Sequence, residues 1–188
     1  MTKILSEQLP TIYLQSISIE DASDEYIQWL QDPQVNQYLE TRFHHQNLST
    51  ITDFIKAIIA NPNEHLFAIR LTETDQHIGN IKIGAIKPQH KTGEVSLFIG
   101  DKKSWGKGIA SQAIQLISRY SIEQLKLRKL SAGAYKPNIT STKAFLKVGY
   151  QSDGTLSEHF LLNGQPCDSV QVCIFERQLE LLPQITLA

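Results

Sequence analysis

Apolar residues recur along the chain with two different periods, and the changes of period predict where helices and strands lie. A nearly alternating run from Ile12 to Ile19 predicts a first strand. Two amphipathic stretches, from Asp24 to Leu30 and from Ser49 to Ala60, predict helices. The first helix should end at Asp32-Pro33, because the residue before a proline avoids helical angles.

Three strand-like runs follow these helices. They extend from Leu66 to Leu71, from Ile78 to Ile86 and from Glu94 to Ile99. The breaks between them are short enough for hairpin connections, so we expect three antiparallel neighbours.

The second half of the chain alternates longer helical and strand patterns. The predicted elements are a long amphipathic helix from Gly108 to Leu125, a strand from Lys129 to Tyr135, a helix from Asn138 to Val148 that ends at Gly149, and two strands, Tyr150 to Leu162 and Pro166 to Arg177, joined at Asn163-Gly164. This order predicts an α+β (mixed α/β) fold. We expect one domain over residues 1–188, with a core at about 12–177 and a mostly antiparallel twisted sheet of about seven strands between helices.

Composition limits the classes of function. The 188 residues include 18 basic and 19 acidic side chains, so no general attraction to nucleic acid or to an anionic membrane is expected. The chain shows neither a signal-peptide pattern nor an apolar run of membrane-spanning length, which predicts a cytoplasmic protein. Cys167 and Cys173 should be reduced thiols, because along one strand they would lie about 20 Å apart. No metal site is expected.

The segment before the long helix contains the most informative motif. Its glycines, Gly106 and Gly108, would let several backbone N–H groups converge at a helix N-terminus, which is a favourable site for phosphate. Lys102, Lys103 and Lys107 add local positive charge. The alternative is a tight turn with solvated lysines.

Two nucleotide-binding interpretations conflict with the surrounding residues. A Walker loop would need Gly-Lys-Ser/Thr after a four-residue gap from another glycine, and the chain lacks it. A dinucleotide fold would place a carboxylate at the end of the next strand, where Tyr135-Lys136-Pro137 stands instead.

The run Lys103-Ser104-Trp105-Gly106-Lys107-Gly108 resembles the coenzyme A loop of the GNAT superfamily of N-acetyltransferases, with lysine at the first position. Asn138, Ser141 and Gly149-Tyr150 match later family positions. Asp32-Pro33-Gln34-Val35 resembles the branch that includes the ribosomal-protein N-terminal acetyltransferases. The resemblance covers residues 12–177 and implies acetyl-CoA as co-substrate, with these contacts: Phe98, Ile99, Lys103, Ser104, Trp105, Gly106, Lys107, Gly108, Ile109, Ala110, Asn138 and Ser141.

Acetyl transfer to an amine requires a polarised carbonyl, a proton acceptor and a proton for the departing thiolate. The resemblance implies that a backbone N–H between Leu97 and Ile99 polarises the thioester carbonyl. Glu94 is the first candidate base, since a lysine-like amine has a pKa of about 10.4 and must lose a proton. At the family's usual acid position the chain has Phe145, so Ser141 or Tyr135 could serve, or the thiolate could leave unaided.

The acceptor should lie between the first two helices and the final hairpin. Candidate contacts are Tyr38, Arg42, Phe43 and His159, and Arg42 could hold a phosphate or carboxylate. His159 is also a second candidate base. We expect a small-molecule acceptor, such as an amino sugar or a sugar nucleotide. Acetylation of protein N-termini and a non-catalytic coenzyme A sensor are the alternatives, and homodimerisation is left open.

Overall fold

Nine strands form one sheet in the computed structural model, which describes residues 1–188. The strands are β1 (Lys3–Leu5), β2 (Ile12–Ser16), β3 (His65–Leu71), β4 (His77–Lys87), β5 (Thr92–Ile99), β6 (Lys129–Tyr135), β7 (Gln151–Leu162), β8 (Gln165–Phe175) and β9 (Thr186–Leu187). The α-helices are α1 (Asp24–Gln31), α2 (Pro33–Asn36), α3 (Leu48–Ala60), α4 (Ile109–Glu123) and α5 (Ile139–Val148). No helix is long and apolar enough to cross a membrane.

The strand order is β7-β8-β6-β5-β4-β3-β2-β1-β9. Every neighbouring pair is antiparallel except β5 and β6, which confirms the predicted mostly antiparallel sheet. The sheet has two strands more than the seven expected. The additional strands, β1 and β9, are three and two residues long and pair with each other at one edge. Runs of this length are too short to display a period.

Alternation along the strands divides the buried residues between the two faces of the sheet. On β3, Leu66 and Ala68 join a cluster with α1 and α3, whereas Phe67 and Ile69 join the larger cluster with α4 and α5. The sheet is therefore covered by helices on both faces, as predicted. The face beneath α1 and α3 also carries the even-numbered residues of β5.

Most element ends follow the predicted turn and cap residues. Asn47, not Ser49 or Thr50, caps α3, and the Thr50 hydroxyl completes the cap by accepting from the Asn47 backbone N–H. Gly149 ends α5 in the left-handed conformation, with φ of 104°. Asn163 and Gly164 have φ of 53° and 77°, as the tight hairpin turn requires. Both cysteines are free thiols, and only Cys173 is fully buried.

Candidate active site

The strands β5 and β6 pair only over their first few residues. Their parallel register ends at Glu94 and Ser131, although β6 continues to pair with β8 as far as Tyr135. A gap therefore opens between β5 and β6 toward the C-terminal end of β5. A parallel pair that separates in this way leaves backbone polar groups unpaired on the facing edges.

The backbone groups that face this gap can be assigned from the antiparallel register of β4 and β5. Gly100 donates its N–H to the Ile78 carbonyl, and paired residues alternate between bonded and non-bonded positions. Residues 94, 96 and 98 therefore direct their backbone groups toward β4, whereas Leu97 and Ile99 direct theirs into the gap. This placement agrees with the expected source of a carbonyl-polarising N–H.

The segment that follows β5 is held in place before it reaches α4. The Asp101 carboxylate accepts hydrogen bonds from the Lys103 N–H, at 3.1 Å, and from the Ser104 hydroxyl, at 2.6 Å. The Trp105 indole N–H donates to the Ile99 carbonyl at 2.8 Å. Sequence reasoning did not select Asp101, although an aspartate two residues before a free N–H is a familiar turn signal. These bonds fix the direction in which the loop enters the helix.

Beyond this anchor the loop forms an open cradle. None of the backbone N–H groups from residue 106 to residue 111 donates a hydrogen bond within the protein. Gly106 and Gly108 have φ of 74° and 76°, and a Cβ built on either would meet no atom within 4 Å. The cradle lies at the N-terminus of α4, where the helix dipole favours an anion. These residues fit the pyrophosphate of a coenzyme A thioester.

Two of the three lysines near this cradle lack an ion-pair partner. Lys103 and Lys107 are exposed and make no salt bridge, so both are available to a phosphate. Lys102 is different, because its Nζ lies 2.6 Å from the Asp32 carboxylate and 3.1 Å from the Gln34 side-chain oxygen. Lys102 thus joins the loop to the segment after α1. The expectation that Lys102 adds positive charge at the phosphate site is corrected, because Asp32 neutralises that charge.

Across the gap, Asn138 and Ser141 lie at the start of α5. The Asn138 side-chain oxygen caps the helix by accepting from the Ser141 N–H at 3.3 Å. Both residues line the cavity described below, together with Phe145. The Phe145 ring is 3% exposed and contacts the Tyr150 ring edge to face at 4.9 Å. It is a core residue that cannot donate a proton.

A cavity of about 980 Å³ extends from the gap across the face of the sheet beneath α1 and α3. Its outer walls are the segment around residues 38–46 and the β7–β8 hairpin. Several residues selected from the sequence line it: Tyr38, Glu94, Phe98, Tyr135, Asn138, Ser141 and His159. Leu97 on β5 and Ala134 on β6 both line the cavity, so it opens directly into the gap where a thioester and an acceptor could meet.

Glu94 presents a carboxylate to the cavity without any partner. It is exposed and forms neither a salt bridge nor a side-chain hydrogen bond. Ser96 and Phe98 share its face of β5 and also line the cavity. An unpaired carboxylate in this position can accept a proton from an amine.

Tyr135 is built into the cavity wall. Its hydroxyl donates to Glu40 Oε1 at 2.5 Å and accepts from Arg42 Nη2 at 2.7 Å. Its ring stacks on Phe160 with 4.1 Å between centroids. Burial, followed by the hydrogen bond to Glu40, raises the pKa of Tyr135 above its ordinary value. The hydroxyl proton of Tyr135 is already donated to the Glu40 carboxylate. The geometry therefore favours a structural role for Tyr135 in the cavity wall over a role as proton donor to the thiolate.

Two of the four expected acceptor contacts need correction. The Arg42 guanidinium donates to the Leu39 carbonyl at 3.0 Å as well as to Tyr135 and the Leu161 carbonyl, so it braces the wall and is not free for a phosphate. Phe43 is 62% exposed and does not line the cavity. Both were selected because they lie between the first two predicted helices, but side-chain direction in that segment depends on a 3-10 helix, Glu40–Phe43.

Three cavity residues were not selected from the sequence, and only one of them had a signal there. Glu40 reaches the cavity through this 3-10 helix, and Tyr26 and Asn80 approach it from α1 and β4. In the sequence, Tyr26 occupies an ordinary core position of an amphipathic helix. Asn80 interrupts an otherwise apolar strand, and a polar residue in such a position was the one available sign of a function.

An open strand pair, a glycine cradle at a helix N-terminus and an adjoining cavity define an acyl-coenzyme A-dependent transferase. Comparisons with known proteins agree. The family model for the acetyltransferase (GNAT) domain matches residues 11–151. The uncharacterized N-acetyltransferase p20 of Bacillus licheniformis is 28% identical over 169 residues, covering 88% of this chain and 93% of the relative. The spermidine N(1)-acetyltransferase of Escherichia coli K12 is 28% identical over 129 residues, covering 68% and 67%.

The fold is also that of a solved acetyltransferase. Spermidine N-acetyltransferase from Vibrio cholerae, in complex with CoA and spermine, superimposes with a TM-score of 0.81 at 19% identity, over 90% of this chain and 98% of that one. The chain belongs to the GNAT acetyltransferase family. It is an acyl-CoA-dependent N-acetyltransferase that uses acetyl-CoA.

Proposed function

We propose that the protein acetylates the primary amine of a small molecule bound in the cavity between the sheet, α1, α3 and the β7–β8 hairpin. The observation that carries this proposal is the continuity of that cavity with the gap between β5 and β6. Its volume of about 980 Å³ is in the range of small-molecule sites. The relatives named as spermidine acetyltransferases support a small amine as acceptor.

Residues around the gap between β5 and β6 have separate roles in acetyl transfer. The amine nitrogen attacks the thioester carbonyl carbon of acetyl-CoA directly in a ternary complex, and the carbon–sulfur bond breaks as the coenzyme A thiolate leaves. Backbone N–H groups of Leu97 and Ile99 stabilise the developing oxyanion. Glu94 accepts the amine's proton, either directly or through a water. Ser141 lies at the same opening and can donate a hydrogen bond toward the departing sulfur.

The charges in the cavity bear on the acceptor's identity. The sequence suggested an amino sugar or a sugar nucleotide, with Arg42 as a residue that could hold the phosphate of a nucleotide. Since that guanidinium braces the wall, an amino sugar fits better than a diphosphate. A polyamine would need anionic contacts. Glu94 offers one, whereas Glu40 already binds the Tyr135 hydroxyl and lies 3.8 Å from Arg42.

Two alternatives retain specific support. Acetylation of protein N-termini is favoured by the resemblance of Asp32-Pro33-Gln34-Val35 to the ribosomal-protein branch. A coenzyme A sensor without catalysis is favoured by Phe145 at the usual acid position. A sensor would bind coenzyme A and release no thiol with any amine.

A thiol-release screen tests the proposal. It compares amino sugars, sugar nucleotides, polyamines, amino acids and N-terminal peptides at equal concentration with acetyl-CoA. Turnover of a small amine is expected, while turnover confined to peptides would establish the N-terminal alternative. Calorimetry with CoA serves as the control for loop function. Binding without turnover of any amine would overturn the proposed reaction in favour of a sensor.

A further inference from the structure

Three polar side chains meet beneath the part of the cavity formed by α1 and β4. They are Tyr26, His77 and Asn80, and all lie among aromatic residues. The His77 ring contacts Tyr26 and Trp29 edge to face, at 6.0 Å and 5.1 Å between centroids. Asn80 is 2% exposed and Tyr26 is 3% exposed, yet both line the cavity. A polar cluster in such surroundings must be ordered by its own hydrogen bonds.

The tautomer of His77 follows from its backbone neighbour. His77 Nε2 lies 3.0 Å from the Gly79 carbonyl oxygen, which can only accept a hydrogen bond. Nε2 must therefore carry the proton. Burial lowers the pKa of His77, so the ring is neutral with its single proton on this nitrogen.

The protonated Nε2 then fixes the orientation of Asn80. It lies 2.9 Å from Asn80 Oδ1, so the amide oxygen faces His77 and the amide nitrogen faces the opposite way. The Asn80 nitrogen is buried and makes no hydrogen bond. The Asn80 side chain lowers the pKa of Tyr26 against the larger effect of burial, so we place the amide nitrogen on the side of the Tyr26 hydroxyl.

This arrangement decides the role of the Tyr26 hydroxyl. Burial raises the pKa of Tyr26 to about 12, so the hydroxyl stays protonated. Its oxygen is the acceptor left for the Asn80 amide nitrogen, which is buried without another partner. The protein supplies no acceptor for its proton, since none of the side-chain hydrogen bonds begins at this hydroxyl. The proton is left to point toward the cavity that the residue lines.

We propose that Tyr26 donates a hydrogen bond to a hydroxyl or carbonyl oxygen of the acceptor, and that the preferred acceptor is therefore an amine bearing such an oxygen. The inference rests on the proposed function. A site that binds a substrate oxygen rejects the analogue lacking it, because its own donor is then left unpaired. Protonated polyamine nitrogens cannot accept this bond. Tyr26 is a specificity-determining residue, and Asn80 and His77 position it.

The test compares matched acceptors by thiol release. The probes are glucosamine, its monodeoxy analogues and spermidine, which carries no oxygen. For the natural sequence, kcat/KM should fall about tenfold or more for the analogue lacking the contacted hydroxyl. Tyr26→Phe should lower kcat/KM for glucosamine by a similar factor and leave that analogue and spermidine unchanged. Tyr120→Phe is the matched control, because its half-buried hydroxyl lies outside the cavity.

The outcomes separate this inference from the proposed function. An equal loss for all acceptors in Tyr26→Phe, or no loss for any, would overturn the role of Tyr26. Best turnover of spermidine, unaffected by the substitution, would overturn the acceptor class. If no amine releases thiol, the proposed reaction fails. Calorimetric titration of glucosamine into the CoA-bound protein and its Tyr26→Phe variant then tests the contact itself, and equal affinities would contradict it.

Discussion

Replacing Gly108 with alanine isolates the contribution of the coenzyme cradle. Gly108 caps α4 with φ of 76° and ψ of 7°, a conformation that costs an L-residue about 1–2 kcal/mol. No protein atom lies within 4 Å of the new Cβ, so the substitution creates no internal clash. The methyl group instead projects into the space that we assign to the pyrophosphate.

The expected effect on coenzyme binding follows from the unpaired N–H groups. A hydrogen bond from a backbone N–H to a charged acceptor contributes about 1.5–3 kcal/mol. Loss of one such bond raises the Kd for CoA by about 10- to 100-fold, since each 1.4 kcal/mol is a factor of ten. Calorimetry measures the Kd, and the KM for acetyl-CoA should rise in parallel.

Gly164→Ala is a matched control for the backbone strain. Gly164 has φ of 77° in the β7–β8 turn, and a Cβ there also meets no atom within 4 Å. Both variants should lose about 1–2 kcal/mol of stability in urea unfolding. Only Gly108→Ala should weaken CoA binding. A Kd for Gly108→Ala equal to that of the unsubstituted protein would refute the assignment of the cradle.

Three further predictions concern other parts of the molecule. Glu94→Gln should lower kcat by about 10²-fold or more and change its pH profile, whereas an unchanged profile would exclude Glu94 as the base. Arg119→Met should cost about 3 kcal/mol in urea unfolding, because this buried guanidinium donates to the Leu179 and Leu182 carbonyls and holds the C-terminal segment. Burial lowers the pKa of His77, so its stabilising contribution is present above about pH 6.5 and is lost as the pH falls through the lower folded value. His77→Gln should lessen that dependence in urea midpoints between pH 7.5 and 5, and an unaltered slope would count against a buried neutral imidazole.

Much of the fold followed from local chemistry that the sequence displays directly. The amphipathic period of α4, the glycine after α5 and the Asn163-Gly164 turn each specify a conformation within a few residues. The glycine spacing before α4 belongs to the same class, since positive φ angles and a helix N-terminus are both local properties. These features carried the coenzyme assignment and, with it, the acetyltransferase family.

The acceptor side was decided only by the tertiary structure. Tyr135 and Arg42 are 93 residues apart in the chain, and their hydrogen bond forms because the end of β6 lies against a short 3-10 helix. This bond and the one to the Leu161 carbonyl of the hairpin remove Arg42 from the free cations. The same holds for the contacts of His77 with Gly79 and Asn80, and for the cavity wall that Asn80 and Tyr26 share.

The physical reason lies in the range of the interactions. Periodicity, capping and turn chemistry act over a few residues, so the sequence records them in one place. The parallel pairing of β5 with β6 that ends at Glu94, and the cavity it opens, depend on long-range strand order and on which side chains satisfy one another in the folded chain. The coenzyme loop could therefore be predicted from its own residues. The shape of the acceptor pocket could not, because it depends on contacts between distant parts of the chain.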